Sequence, residues 1–215
     1  MNFDVVIIGS GIGGLVCANI LARQGMRVCV LEKNKQFGGN LQTFVRDKII
    51  FDSGVHYVGG LDKDQNLYKV FSYLGIMDQL HLESMDLNCF DGIIAGEDNV
   101  VYPQAQGHEN FIQQLLRYFP DQENALREYC DRIKEICRAF PLYNLQLDGT
   151  LEQKTIASSL SAKQTIESLT GNKKLQAVLA GNNILYAGEG ESTPFHVHAL
   201  IINNYIENSW KFING

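Results

Sequence analysis

The chain has little that would carry it into a bilayer or onto a nucleic acid. Its apolar runs, Val5–Ile8, 49–51 and 200–202 among them, fall far short of the roughly 20 residues that span a membrane. Met1-Asn2-Phe3-Asp4 offers no basic opening, and a glycine turn breaks the apolar stretch behind it, so no secretory signal is expected. Positive charge is scarce: 18 Lys and Arg stand against 24 Asp and Glu, a formal charge of −6. A phosphate backbone would be repelled on average, which excludes nucleic acid as the expected partner. The five cysteines are an odd number without C-x-x-C spacing, which argues against a disulfide framework and a zinc site. A reducing cytoplasm is therefore the expected compartment, with peripheral membrane contact left open. There is no internal repeat and no low-complexity segment. With 45% hydrophobic and 20% charged residues in 215, the composition is that of a folded globular chain.

What the sequence does have is glycine at its start. Half of the 20 glycines fall in the first sixty residues: Gly9, Gly11, Gly13, Gly14, Gly25, Gly38, Gly39, Gly54, Gly59 and Gly60. Residues 3–8 are β-branched without polar alternation, the pattern of a parallel strand buried on both faces. Gly9-Ser10-Gly11-Ile12-Gly13-Gly14 follows directly. Residues 15–24 are apolar nearly all round and read as a buried crossover helix, with Gly25 as its left-handed terminator. Residues 27–32 are a second strand ending in the acid Glu32. Cys17 and Cys29 are expected to be buried in this βαβ unit.

Each part has a role at a dinucleotide site. Gly9 permits the tight turn, Gly11 lets backbone approach a pyrophosphate, and Gly14 lets helix and strand pack closely. Ser10, Ile12 and Gly13 complete the loop, and the helix N-terminus turns free N–H groups and partial positive charge toward the phosphates. Glu32 is placed to accept from ribose hydroxyls. G-x-G-x-x-G alone says little; here the strand, the helix and the acid stand around it in order.

Glu32 and Lys33 are followed by a second glycine pair, Gly38-Gly39, and Asn40. At this point the chain resembles flavoprotein oxidoreductases whose N-terminus runs strand, G-x-G-x-x-G, helix, acid and a G-G element near the FAD phosphates. That family usually has Arg where Asn40 stands. Residues 43–46 and 49–51 read as a hairpin across Asp47-Lys48, where the family often carries glycine at the Lys48 position. The block 52–60, with Val55, His56 and Tyr57, corresponds to a stretch that approaches the isoalloxazine ring. For His56 and Tyr57 the alternative is a purely structural turn.

Farther on, 66–76 has helical spacing (Leu67, Val70, Phe71, Leu74), and 85–90 and 99–102 read as strands. Residues 107–119 form an amphipathic helix with Phe111, Ile112, Leu115, Leu116 and Phe119 on one stripe. Asp121 is expected to cap a longer helix whose buried face is Leu126, Tyr129, Cys130, Ile133, Cys137 and Phe140, with Glu123/Arg127 and Glu128/Arg132 as i,i+4 pairs. Ser161 and Gln164 form a capping box ahead of a helix stopped by Gly171. Thr193-Pro194 is expected at N-cap and N1 of a last helix. His196 and His198, two apart on that helix, project to different faces and read as structural, and Glu189 and Glu191 as solvated. Catalytic residues are not assignable.

Asp52 to Gly60, Tyr102-Pro103, Phe119-Pro120-Asp121-Gln122-Glu123 and the matches Gly188-Glu189-Gly190, Pro194-Phe195, His198-Ala199-Leu200 and Tyr205 make the resemblance narrower. They are similar to the retinol saturase, phytoene desaturase and carotenoid isomerase group. That resemblance implies FAD and reduction, oxidation or isomerisation of a hydrophobic polyene. Members of the group are longer, so this chain is expected to be an N-terminal portion, catalytically silent and weak in FAD binding by itself. The expected fold is α/β. A Rossmann-like FAD-binding βαβ unit, an incomplete doubly wound parallel sheet, occupies 1–62, and a partial helix-rich α+β substrate domain occupies 63–215. An open edge at Val5–Ile8 is expected to favour self-association. Two other readings stay open: a non-catalytic nucleotide-binding fragment, and an NAD-dependent dehydrogenase, which the Gly38-Gly39 element disfavours.

Overall fold

A computed structural model describes residues 2–146 and 160–213. These fall into two compact units, one of Met1–Val58, Leu67–Glu83 and Trp210–Gly215, the other of Gly59–Asn66 and Ser84–Ser209.

The first unit opens with β1 (Val5–Ile8), α1 (Ile12–Arg23) and β2 (Val28–Leu31). The two strands pair in parallel, Val5 opposite Val28 through Ile8 opposite Leu31, so a right-handed crossover through α1 is the expected connection. Asp4 fixes the strand starts: it accepts from the Arg27 backbone N–H at 2.8 Å and from the guanidinium at 3.0 and 2.8 Å. α1 ends as a Schellman turn, with Gly25 at φ +82, its N–H on the Ala22 carbonyl and the Met26 N–H on that of Leu21.

Burial in this unit differs from the sequence expectation. Val5 and Ile7 are half-buried, but Val6 is 54% and Ile8 89% exposed. No residue of α1 is buried, Cys17 is exposed and Cys29 only half-buried. The cause is the number of layers. Among the described residues this sheet has two strands, and one helix covers one of its faces, so apolar side chains on the other face meet solvent.

Beyond a 3-10 turn at Gly39–Leu41 come β3 (Thr43–Arg46) and β4 (Ile49–Asp52), an antiparallel hairpin. Phe44 and Phe51 face each other across it with ring centroids 5.3 Å apart. Asp47 and Lys48 both take positive φ, +52 and +67, the type I′ geometry that matches strand twist. α2 (Asn66–Leu74) leads to Gly75, φ +74, and β5 (Leu82–Ser84) follows. Arg23 of α1 lies over the Tyr73 ring, 5.5 Å from its centroid.

The second unit contains β6 (Asp91–Ile94) and β7 (Val101–Gln104), paired antiparallel, then α3 (His108–Leu116) and α4 (Glu123–Ala139). β8 (Trp210–Phe212) belongs to the first unit and pairs with β5, and in the second unit α5 (Ala162–Leu169), α6 (Lys173–Ala180), a 3-10 turn at Gly181–Tyr186 and α7 (Phe195–Glu207) follow. Its core holds Phe111 and Leu115 of α3, Leu126, Tyr129, Cys130, Ile133 and Cys137 of α4, and Ala199, Ile202 and Ile206 of α7. The expected apolar stripes of α3 and α4 are therefore inside, except that Leu116 and Phe140 are only half-buried. Both pairs on the solvated side form, Arg127 to Glu123 at 2.9 Å and Arg132 to Glu128 at 2.6 Å.

Three local expectations shift. Residues 85–90 are not a strand: Asp86 accepts from the N–H groups of Asn88 and Cys89 at 2.7 and 2.9 Å, closing a turn, and the strand begins at Asp91. Asp121 does not cap α4; it lies in a 3-10 turn, Pro120–Gln122, and the N-cap is Gln122. Pro194 rather than Thr193 stands at the N-cap of α7, because the Thr193 hydroxyl accepts from the Glu189 N–H at 2.8 Å. The capping box of Ser161 and Gln164 forms as expected.

Lys48 carries a left-handed backbone that glycine adopts without a Cβ penalty. Lys48→Gly is expected to stabilise the chain by about 0.5–1 kcal/mol net of the extra chain entropy, read as a raised melting temperature. A fall in melting temperature would show that the Lys48 side chain outweighs the backbone strain.

Candidate dinucleotide site

The glycine turn between β1 and α1 is built by two different constraints. Gly9, at φ +96, extends the strand ladder by donating its N–H to the Leu31 carbonyl at 2.7 Å. At Gly14 there is no room: a Cβ would sit 2.1 Å from the Gly9 carbonyl oxygen, with Ile7 next at 3.5 Å. Helix and strand approach this closely only because Gly14 has no side chain. Gly11 and Gly13 are the opposite case. A Cβ at either meets nothing within 4 Å, so the protein's own packing does not demand glycine there. Gly11 is also the N-cap of α1 and supplies no side-chain cap, which leaves first-turn N–H groups open to an anion. Ile12, beside them, is 50% exposed.

Ser10 joins the remaining pieces and is itself 3% exposed. Its backbone N–H and its hydroxyl both donate to one oxygen of Glu32, at 3.0 and 2.6 Å. The other Glu32 oxygen accepts from the Asn34 N–H at 2.9 Å. The Gly38 N–H reaches back to Ser10, 3.0 Å from its carbonyl oxygen and 3.2 Å from its hydroxyl. The Ser10 hydroxyl, followed by the two backbone N–H groups, holds the Glu32 carboxyl down at about 2. A depressed carboxyl stabilises the fold above its ordinary value of 4.5 and loses that contribution as pH falls through about 2.

Gly38 and Gly39 have φ of +109 and +59, and a Cβ on Gly39 would lie 3.0 Å from Cα of Gly11. The second glycine pair thus sits directly on the first glycine turn. Asn40 packs on Gly54, where a Cβ would meet the Asn40 carbonyl oxygen at 3.2 Å, and the Ser53 N–H donates to the Gln42 carbonyl at 2.9 Å. Val55 and Tyr57 are half-buried. His56 stands in solvent, its side chain 67% exposed with Asp52 3.9 Å away, and Lys33 is exposed. Gly9 to Gly14, Glu32, Gly38 and Gly39 are therefore brought together, Asn40 is tied to Gly54, and His56 is turned outward. Sequence reasoning missed Ser10 as the hub and Asn34 as a donor. The only available signal was a hydroxyl residue between the first two glycines.

The histidines of α7, the cysteines of α4 and the loop acids 189 and 191 make contacts of their own. His198 is fully buried, with the Tyr129 hydroxyl 2.7 Å from Nε2 and the Tyr186 hydroxyl 2.8 Å from Nδ1. Burial pushes its pKa down to about 4. A neutral imidazole has one N–H and one lone pair, so one tyrosine donates and the other accepts. His196 stacks on Phe140, centroids 5.9 Å apart. Burial raises the thiols of Cys130 and Cys137 to about 12. Of the two loop acids, Glu191 pairs with Lys163, and Glu189 accepts from the Ser192 hydroxyl.

The first half of this arrangement is a Rossmann-like βαβ unit, and residues 7–74 match the family model described as an NAD(P)-binding Rossmann-like domain. The chain is 30% identical to the all-trans-retinol 13,14-reductase of Danio rerio over 97% of its own length and 37% of the relative's. It is 31% identical to prolycopene isomerase 2, chloroplastic, of an Oncidium hybrid cultivar over 79% and 28% of the two lengths. The chain thus spans little more than a third of the retinol reductase it matches. Among solved structures, a putrescine oxidase bound to putrescine superposes with a TM-score of 0.59 at 16% identity, covering 100% of this chain and 47% of that one. That likeness shows a shared fold.

Ser10→Ala removes the hydroxyl that lowers Glu32 and bridges to Gly38. Its melting temperature is expected to fall below wild type above pH 4.5, and the difference is expected to shrink between pH 4.5 and 2 as Glu32 protonates in both forms. A difference that stays constant over that range would show that the Ser10–Glu32 bond does not carry the effect.

Proposed function

We propose that the chain is the cofactor-binding part of an FAD-dependent oxidoreductase of the saturase or desaturase type, acting on a hydrophobic polyene such as a carotenoid or retinoid. The observation that carries this reading is the Gly38-Gly39 pair seated on the first glycine turn through Ser10. A nicotinamide site needs the glycine turn and the acid alone, whereas a second glycine element against the first extends the open backbone available to a diphosphate. The named activities of the relatives support the substrate class. Residues 1–62 are the proposed FAD-binding part and 63–215 the proposed substrate side. A reducing cytoplasm is the proposed compartment; among the described residues no helix is long and apolar enough to cross a membrane.

The residues present fit such a cofactor. Gly11 and Gly13 leave open space at the helix N-terminus, where the diphosphate would be held by backbone N–H groups. Glu32 keeps lone pairs for ribose hydroxyls beside the donors it already accepts from. Asn40 offers an amide in place of a cation, so the charge balance there rests on the helix terminus. When bound, a flavin supplies the hydride and electron chemistry, and the protein positions it and excludes competing reactions. Val55 and Tyr57 are the proposed flank of the flavin. His56 is the weaker candidate, because reaching a ligand requires it to leave solvent.

Gly11→Val separates binding from folding, since the new side chain meets nothing of the protein within 4 Å of its Cβ. The wild-type chain is expected to gain thermal stability with added FAD in a saturable way, and Gly11→Val to keep its own melting temperature but lose that gain. Stabilisation by NAD and not by FAD would favour the dehydrogenase reading. Unchanged FAD binding in Gly11→Val would make the loop a structural turn.

A further inference from the structure

The β3–β4 hairpin is apolar on both of its faces. Its register sets Phe44 opposite Phe51, with Ile49 on the same face, and Val45 opposite Ile50 on the other. All five side chains are exposed, Val45 most of all at 66%. An antiparallel pair ordinarily packs one face on a core and offers polar residues to water on the other. A contiguous exposed apolar patch instead marks an interaction site. The preceding loop is tied to the base of the hairpin: the Gln36 amide donates to the Thr43 carbonyl at 3.0 Å and the Gln42 amide to the Gln36 carbonyl at 2.8 Å. Phe37, in that loop, is exposed as well.

Positive charge is gathered on the same segment. Residues 33–51 carry Lys33, Lys35, Arg46 and Lys48 against one acid, Asp47. The segment is therefore +3 in a chain of −6, and everything outside it comes to −9. Lys35, Arg46 and Lys48 are exposed, and none of them forms an ion pair with another described residue. Exposed apolar groups beside unpaired cations fit a surface that is apolar beneath and anionic on top. A second copy fits poorly, because a self-complementary contact through this patch would set +3 against +3.

We propose that the hairpin docks the chain on an anionic lipid bilayer, its apolar side chains entering the interface while Lys35, Arg46 and Lys48 meet the charged headgroups. Stable attachment to a membrane surface takes two signals, and the segment supplies both an apolar and a basic one. The −9 elsewhere turns the rest of the surface away from such a bilayer, so the chain arrives hairpin first. This proposal stands apart from the cofactor reading.

The test is co-sedimentation of the full chain with vesicles of phosphatidylcholine alone or mixed with phosphatidylserine. Binding to the mixed vesicles is expected to be at least about tenfold tighter, and to be lost at about 1 M salt, where charge is screened beyond about 3 Å. Lys35→Gln and Arg46→Gln should each weaken it about fivefold. The double variant Val45→Thr/Ile50→Thr keeps β-branched residues in the strands, and should weaken it at least about fivefold at unchanged melting temperature. Val45→Trp should be quenched by bromine-labelled acyl chains, and the wild type, whose single tryptophan is Trp210, should not. Gly11→Val should bind vesicles as the wild type does, whatever it does to FAD. Equal binding to both kinds of vesicle, binding that survives high salt, or an unquenched Val45→Trp would each overturn the proposal. Self-association that Val45→Thr/Ile50→Thr abolishes, with no vesicle binding, would give the face to a second copy and overturn it too.

Discussion

The hydrogen bonds converging on Ser10 hold three separate stretches of sequence in one place. The glycine turn, the end of β2 and the second glycine pair lie far apart along the chain, and none has a packed core of its own to lean on. Glu32 takes two donors from Ser10, and Gly38 gives its N–H to the same residue. Ser10 itself is buried, and its bonds to the Glu32 carboxylate are charge-assisted, the stronger kind of hydrogen bond. The backbone around Gly11 is therefore arranged before any ligand arrives, which lowers the ordering cost of binding.

The glycines of this region carry two kinds of information. Gly14 is required by the protein itself, because the Gly9 carbonyl occupies the space of its Cβ; Gly59 is the same case against the Asn204 carbonyl at 2.3 Å. Gly11 and Gly13 face open space, and helix propensity alone would favour a larger residue at Gly13. Residues whose smallness costs stability and serves no internal contact are where an external group has to approach. The geometry thus divides a single motif into a packing half and a ligand-facing half.

The βαβ unit was legible because strand, turn, helix and acid are local patterns: periodicity, a left-handed terminator at Gly25 and a β-branched run each report on their own neighbours. Burial was not legible. Val6, Ile8 and Cys17 are as apolar as any core residue, but whether they are covered depends on how many layers stand around them. The strand expected at 85–90 failed for a local reason, since the Asp86 side chain competes for the backbone N–H groups a ladder would need. Thr193 failed likewise, its hydroxyl being taken by Glu189. In the candidate site the glycines and Glu32 could be read from spacing. Ser10 could not, because its role comes from a carboxylate 22 residues away.

The two units show how differently apolar sequence is used. In the helical unit, α4 meets α7 so completely that Leu126, Ile133 and Ile206 have no exposed surface. A histidine is enclosed there too, at the cost of a depressed pKa and with both nitrogens paired to tyrosines. Hydrophobic burial dominates, and the pairing of both ring nitrogens offsets the cost of enclosing this histidine. In the first unit α1 buries no residue, and polar contacts, Asp4 with Arg27 and Ser10 with Glu32 and Gly38, fix the register that a core would otherwise fix. Such contacts are directional but individually modest. The glycine turn is therefore held in shape without being deeply packed, which leaves its backbone donors within reach of a ligand.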